Sequence, residues 1–167
     1  HNPTSELPPA VAIVNPKLGD NETNIHLCGA GVAYQLASAL CQDRPPSHKT
    51  VWLDLVALAT VADIVPLLGD NRILVKYGLQ EISQPSRLGL RALLEIAGLE
   101  NKIISTWHIG FVLAPRLNAA GRMDSAAISI ELLQTKNYQK ALQLAQRLSE
   151  LNNNRRSVED KVLKEAV

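Results

Sequence analysis

Cysteine is nearly absent. Cys28 and Cys41 are the two in 167 residues, and neither forms a Cys-x-x-Cys pair or stands at ligand spacing from a histidine. That pattern excludes a disulfide framework and a zinc knuckle, and it fits reduced thiols in a cytoplasmic protein. Neither sign of charge dominates. Seventeen basic and sixteen acidic side chains leave a formal +1, so no global positive field marks a nucleic-acid binder and any phosphate contact must be local. A long uninterrupted apolar run is missing too: the longest, 51–68, is broken by Asp54, Asp63 and Pro66. No basic-then-apolar signal opens the chain, which argues against a membrane span or a secreted protein. There is no initiator methionine, and the abrupt His1-Asn2-Pro3 start suggests a piece of a longer protein.

What is present suits a globular chain, with 46% hydrophobic and 20% charged residues and enough length for a substantial core. Residues 11–14 (Val-Ala-Ile-Val) predict a short strand, whose partners would lie in sequence outside this chain. Helices are predicted over 28–40, 50–65, 71–83, 88–97 (closed by Gly98), 106–117 and 125–134. A long amphipathic helix is predicted from 138 to the end, its stripe broken by polar residues 152–156. Pro115 is expected to take the chain out of regular helix just before Arg116. The fold class is therefore α/β, mostly helical, with one or few strands and a long final helix. Gly29-x-Gly31 at a helix start can cradle a phosphate, but close packing explains it better because the rest of a nucleotide loop is missing.

Two features carry chemistry. Asp63 lies in the nearly unbroken apolar run Ala59-Thr60-Val61-Ala62-Asp63-Ile64-Val65-Pro66. The 50–65 helix is apolar on all sides and so predicted to be interior, where a lone carboxylate costs several kcal/mol unless a metal or a donor meets it. Asp54 is nine residues earlier, on the opposite face at about 100° per residue, and near the helix start, where it offsets the macrodipole. Arg116-Leu117-Asn118-Ala119-Ala120-Gly121-Arg122 gathers donors around small side chains. Taken alone, Asp63 could equally be a buried acid paired with Arg116 or Arg122, and those arginines could be surface or salt-bridging groups. His26, His48 and His108 have no ligand spacing and read as structural, and Arg155-Arg156 as a solvated helix face.

Four blocks in order carry a resemblance: Leu7-Pro8-Pro9-Ala10-Val11-Ala12-Ile13-Val14-Asn15-Pro16-Lys17, Cys28-Gly29-Ala30-Gly31-Val32-Ala33, Asp54 through Leu67, and Ala114-Pro115-Arg116-Leu117-Asn118-Ala119-Ala120-Gly121-Arg122. Together they resemble the RecJ single-stranded-DNA exonucleases of the DHH phosphoesterase superfamily, across nearly the whole chain. The resemblance implies that 1–136 is the C-terminal part of a DHH catalytic domain whose N-terminal part is absent, and that 137–167 is a long helix leading to an absent second domain. It makes Asp63 the last metal-binding aspartate, joined by residues of the N-terminal half around Mn²⁺ or Mg²⁺, and His1 the final histidine of the Asp-His-His signature. Arg116, Asn118 and Arg122 match the motif lining the strand-binding groove. Ala59 replaces a glycine common in relatives, which touches only local packing.

The implied activity is metal-dependent, 5′ to 3′ hydrolysis of phosphodiester bonds in single-stranded DNA, serving repair and recombination. Two ions about 3.5–4 Å apart polarise the phosphate and lower the pKa of an attacking water. The expected partners are single-stranded DNA and the missing parts of the same protein, and the chain on its own, supplying one metal ligand, is expected to be inactive. Two other classes stay open. A different DHH-type phosphoesterase, acting on oligonucleotides, cyclic dinucleotides or pyrophosphate, should lack the Arg-x-Asn-Ala-Ala-Gly-Arg motif. A non-catalytic nucleic-acid-binding relative would have no need of Asp63.

Overall fold

The computed structural model describes residues 3, 6–18, 25–41 and 52–166. Its regular elements are helices: α1 Gly29–Leu40, α2 Leu53–Ala62, α3 Gly69–Ser83, α4 Leu88–Ile96, α5 Thr106–His108, a wide π-helical turn Ile109–Leu113, α6 Ala114–Met123, α7 Ala127–Gln134 and α8 Tyr138–Ala166. The mostly helical character expected from the sequence is there, but no strand forms among the described residues. Residues 11–14, expected as a strand, leave Val11 and Val14 exposed. An extended apolar segment becomes a strand only when a neighbour receives its N–H and C=O groups.

The chain divides into two compact units, His1–Leu79 and Gln80–Val167. In the first, α1 packs on α2, and Leu53, Val56 and Leu74 form a core flanked by Leu27 and Tyr34. The Cys28 thiol and the Thr60 hydroxyl lie 3.4 Å apart inside it. Gly78 lets α3 meet α2 backbone to side chain: a Cβ there would fall 2.3 Å from the Leu53 carbonyl oxygen and 2.5 Å from the Ala57 Cβ.

In the second unit α8 packs against α4, α6 and α7, and its buried stripe Ala141, Ala145 and Leu148 meets a core that includes Leu90, Leu93, Ile109, Leu113 and Leu132. The spacing of Ala141, Ala145 and Leu148 is the i, i+4 and i+7 pattern of a helix with one inward face. Gly89 permits close approach to α7, since a Cβ would sit 1.9 Å from the Leu132 carbonyl oxygen. Arg87 then donates to the next carbonyl, Leu133, at 3.1 Å. At the end of α4, Gly98 adopts φ 67°, and the Leu99 N–H reaches back to the Leu94 carbonyl at 2.9 Å. That is the left-handed closure expected of this glycine. Asn152, placed by the sequence in a solvated break of the stripe, is buried. Its amide oxygen accepts from Arg155 at 3.4 Å, which lets a polar side chain continue the inward face.

The two close approaches predict a contrast. Gly78→Ala and Gly89→Ala each lower stability by about 1–3 kcal/mol, whereas Gly29→Ala, with nothing within 4 Å of its would-be Cβ, does not. Urea unfolding followed by circular dichroism decides it: a wild-type midpoint for Gly78→Ala or Gly89→Ala contradicts the packing described.

Candidate metal ligand and nucleic-acid interface

Helix α2 is apolar almost throughout and buries Leu53, Val56, Ala57, Leu58 and Thr60. It stops at Ala62, three residues short of the expected end at 65, because Pro66 restricts Val65 to extended backbone and supplies no amide hydrogen. Asp63 is the residue just past the helix, its N–H bonded to the Ala59 carbonyl at 2.9 Å. Ile64 follows at φ 55°, a left-handed conformation that a β-branched residue adopts only under constraint. One source of constraint is Asn71, whose amide donates to the Pro66 and His26 carbonyls, each at 3.0 Å.

The expected interior position of Asp63 is corrected by this geometry. Its side chain is exposed, because the helix ends before the apolar pattern does and the chain leaves the core at that point. The buried acid is Asp54, 8% exposed, whose Oδ1 accepts the Leu55 N–H at 2.8 Å in the first turn. Asp63 therefore meets solvent at the carbonyl end of a helix, where the macrodipole disfavours a carboxylate and favours a cation. Such an oxygen suits a hard divalent ion. Among the described residues no group of three or more His, Cys, Asp or Glu side chains gathers to hold a metal, so Asp63 fits as one ligand of a larger set. His1 and His48 lie outside the described residues.

Pro115 does not end helical structure before Arg116, as the sequence suggested. The chain stays helical from Thr106 to Met123 by opening a wide turn over Ile109–Leu113, in which the Ala114 N–H bonds to the Ile109 carbonyl five residues back. That extra residue makes room for the ring and its missing donor. Arg116 folds back along the same turn, its Nη1 donating to the Val112 carbonyl at 2.7 Å.

The motif residues are thus on α6 and are sorted by its rotation. Ala119 and Ala120 are fully buried, while Asn118, Gly121 and Arg122 are exposed. Asn118 and Arg122, four residues apart, share one side of the helix, with the Ser129 hydroxyl holding the Leu117 carbonyl at 2.8 Å beside them. Arg116 is half-buried and lies round the helix from that pair, and its Nε is buried without a partner among the described residues. Burial first, then the charge of Arg156 on α8, holds its guanidinium below the ordinary arginine value. Among the described residues neither Arg116 nor Arg156 forms an ion pair, which leaves this edge receptive to an anion. Arg155 is occupied differently, paired with Glu159 along α8.

Phe111 and Trp107 fall within the helix expected over 106–117, with no separate role assigned to either. Both are exposed, at 71% and 59%, with rings stacked at 5.6 Å between centroids and 28° between planes. Their i, i+4 spacing was the available signal. His108 is structural as expected: its Nδ1 accepts the Ser105 N–H at 3.1 Å, closing a capping box at the start of α5.

No family model matches the chain. Proteins named single-stranded-DNA-specific exonuclease RecJ do. The one from Salmonella typhimurium is 41% identical over 180 residues, covering 100% of this chain and 31% of its own length. That from Bacillus subtilis is 38% identical, covering 100% and 21%, and that from Thermus thermophilus is 36% identical, covering 98% and 24%. Over its whole length the chain is similar to these RecJ proteins. A crystal structure of RecJ bound to manganese superposes on 99% of the chain and 42% of its own, at 35% identity and a TM-score of 0.89. RecJ from Thermus thermophilus in complex with Mn²⁺ covers 99% and 25%, at 34% identity and a TM-score of 0.84. The chain therefore spans about a third or less of the RecJ sequences it matches.

Gly121 sharpens the reading of the RecJ-like motif. It sits inside α6, and an added Cβ would find only the Ala126 Cβ at 3.7 Å, an ordinary contact. Packing among the described residues gives no reason for glycine there, and mid-helix glycine costs about 0.5–1 kcal/mol against alanine. Gly121→Ala should accordingly raise the thermal midpoint, by a few degrees at most; a lowered midpoint in a calorimetric scan would show that the helix itself needs the glycine.

Proposed function

We propose that this chain is part of a divalent-metal-dependent exonuclease that hydrolyses phosphodiester bonds of single-stranded DNA, from the 5′ end, in DNA repair and recombination in the cytoplasm. The observation that supports the reading is its match, over 98–100% of its length and at 36–41% identity, to proteins named single-stranded-DNA-specific exonuclease RecJ. In this reading residues 1–136 belong to the catalytic domain and 137–167 to a helix running on toward a further domain.

Mn²⁺ or Mg²⁺, the ions in the RecJ structures, would be held in part by the Asp63 carboxylate, with His1 as a second candidate. The bound ions supply a polarised phosphate and a water acidified enough to attack it. Asp63 contributes by presenting an exposed carboxylate at a helix carbonyl terminus, just before the left-handed Ile64. Arg122 and Asn118 hold backbone phosphates through charge-assisted and amide hydrogen bonds, and Arg116, anchored on Val112, adds a fixed positive charge behind them. Recognition of this kind follows the backbone and reads little of the base sequence.

Two results test the assignment. In a full-length RecJ carrying this segment, Asp63→Ala abolishes metal-dependent hydrolysis and keeps most of the affinity for a dT oligomer, while Arg122→Ala weakens binding and reduces the slope of log K against log salt by about one. Equal loss of both properties in both variants, with helicity lost, would remove the division of roles. The 167-residue chain alone, given Mn²⁺ and labelled single-stranded DNA, should release no mononucleotides; metal-dependent release would mean that its own residues complete the metal site.

A further inference from the structure

The aromatic pair on the helical run leading into α6 is unusual in a chain with two tryptophans and one phenylalanine. Trp107 and Phe111 are stacked on each other and exposed at 59% and 71%. Large aromatic rings are normally the residues a fold hides first. Their geometry is also fixed. Trp107 meets His108 edge-on at 5.5 Å and 84°, and His108 is held by the capping box with Ser105. One face of each ring is taken by the other, so the pair presents an ordered flat surface to solvent.

A flat π surface selects planar partners over the knobbed face of a helix. Its neighbours on the same continuous helical run are donors to phosphate: Phe111 and Asn118 are seven residues apart, about 10 Å along the axis, with Arg122 one turn further. We propose that Trp107 and Phe111 form a base-stacking platform for single-stranded nucleic acid, so that one strand lays a base on the Phe111 ring while its phosphates meet Asn118 and Arg122. The inference rests on the strand-binding reading of α6 and adds to it a grip on bases that is indifferent to sequence, because every base has a stacking face. It also gives the wide turn at Ile109–Leu113 a use, since that turn sets the angle between the aromatic pair and the donor side of α6.

The test measures binding of the full chain to two fluorescent oligomers of equal length, oligo-dT and its abasic counterpart, by anisotropy. Trp107→Ala and Phe111→Ala each weaken oligo-dT binding at least about fivefold and leave the abasic strand unaffected, Phe111→Tyr restores binding, and Arg122→Ala weakens both strands alike. If the aromatic variants bind oligo-dT as the wild type does while Arg122→Ala still weakens both, the platform is wrong and the phosphate reading stands. If neither strand binds, or Arg122→Ala changes nothing, the phosphate reading fails and the platform with it.

Discussion

Two alanines set the orientation of the candidate interface. Ala119 and Ala120 are completely buried in the second unit, where α6 packs against α7 and α8, and a helix with two adjacent side chains fixed inward has one rotation left to it. Asn118, Gly121 and Arg122 then point outward as a consequence. Side chains longer than a methyl would push α6 away or turn it, and the donors would be lost with the packing. Small residues recur at other crossings: Gly78 and Gly89 let backbones approach where any Cβ would collide, beside a core of leucine, isoleucine and valine.

Much of this was legible in sequence because helical periodicity is a local signal. α1, α3, α4, α7 and α8 fall within a few residues of where apolar spacing and Gly98 place them. What was not legible depended on contacts. Residues 11–14 have strand composition, but a strand is a property of pairs. Asp63 looked interior because an apolar run surrounds it, yet the helix ends at Ala62, and a stop one turn earlier than the pattern suggests exchanges burial for exposure. The acid that is buried, Asp54, sits where the sequence assigned only a dipole role. Pro115 signalled a break, and the chain absorbed it in a π turn, a compensation that no window of residue types reveals.

The candidate site shows the same division. Block order and spacing pointed to the RecJ family, and homology over the whole length bears that out. Composition could not say that Arg116 faces partly inward while Asn118 and Arg122 face solvent, nor that the Arg156 charge is felt at Arg116. The aromatic pair was hidden for a simpler reason: apolar residues at i, i+4 are assumed to be core, and exposure is known only once the neighbours are placed. In the proposed function the first unit offers an outward carboxylate for a metal, and the second a donor face for phosphates and a flat surface for bases.

In the proposed function the outward side of α6 lies against strand phosphates. Arginine-specific modification by a dicarbonyl reagent, mapped by mass spectrometry with and without saturating oligo-dT, reads that contact. Bound strand should shield Arg122 and leave Arg91, which lies over the Tyr138 ring, as reactive as before. Unchanged modification of Arg122 in the complex would contradict it.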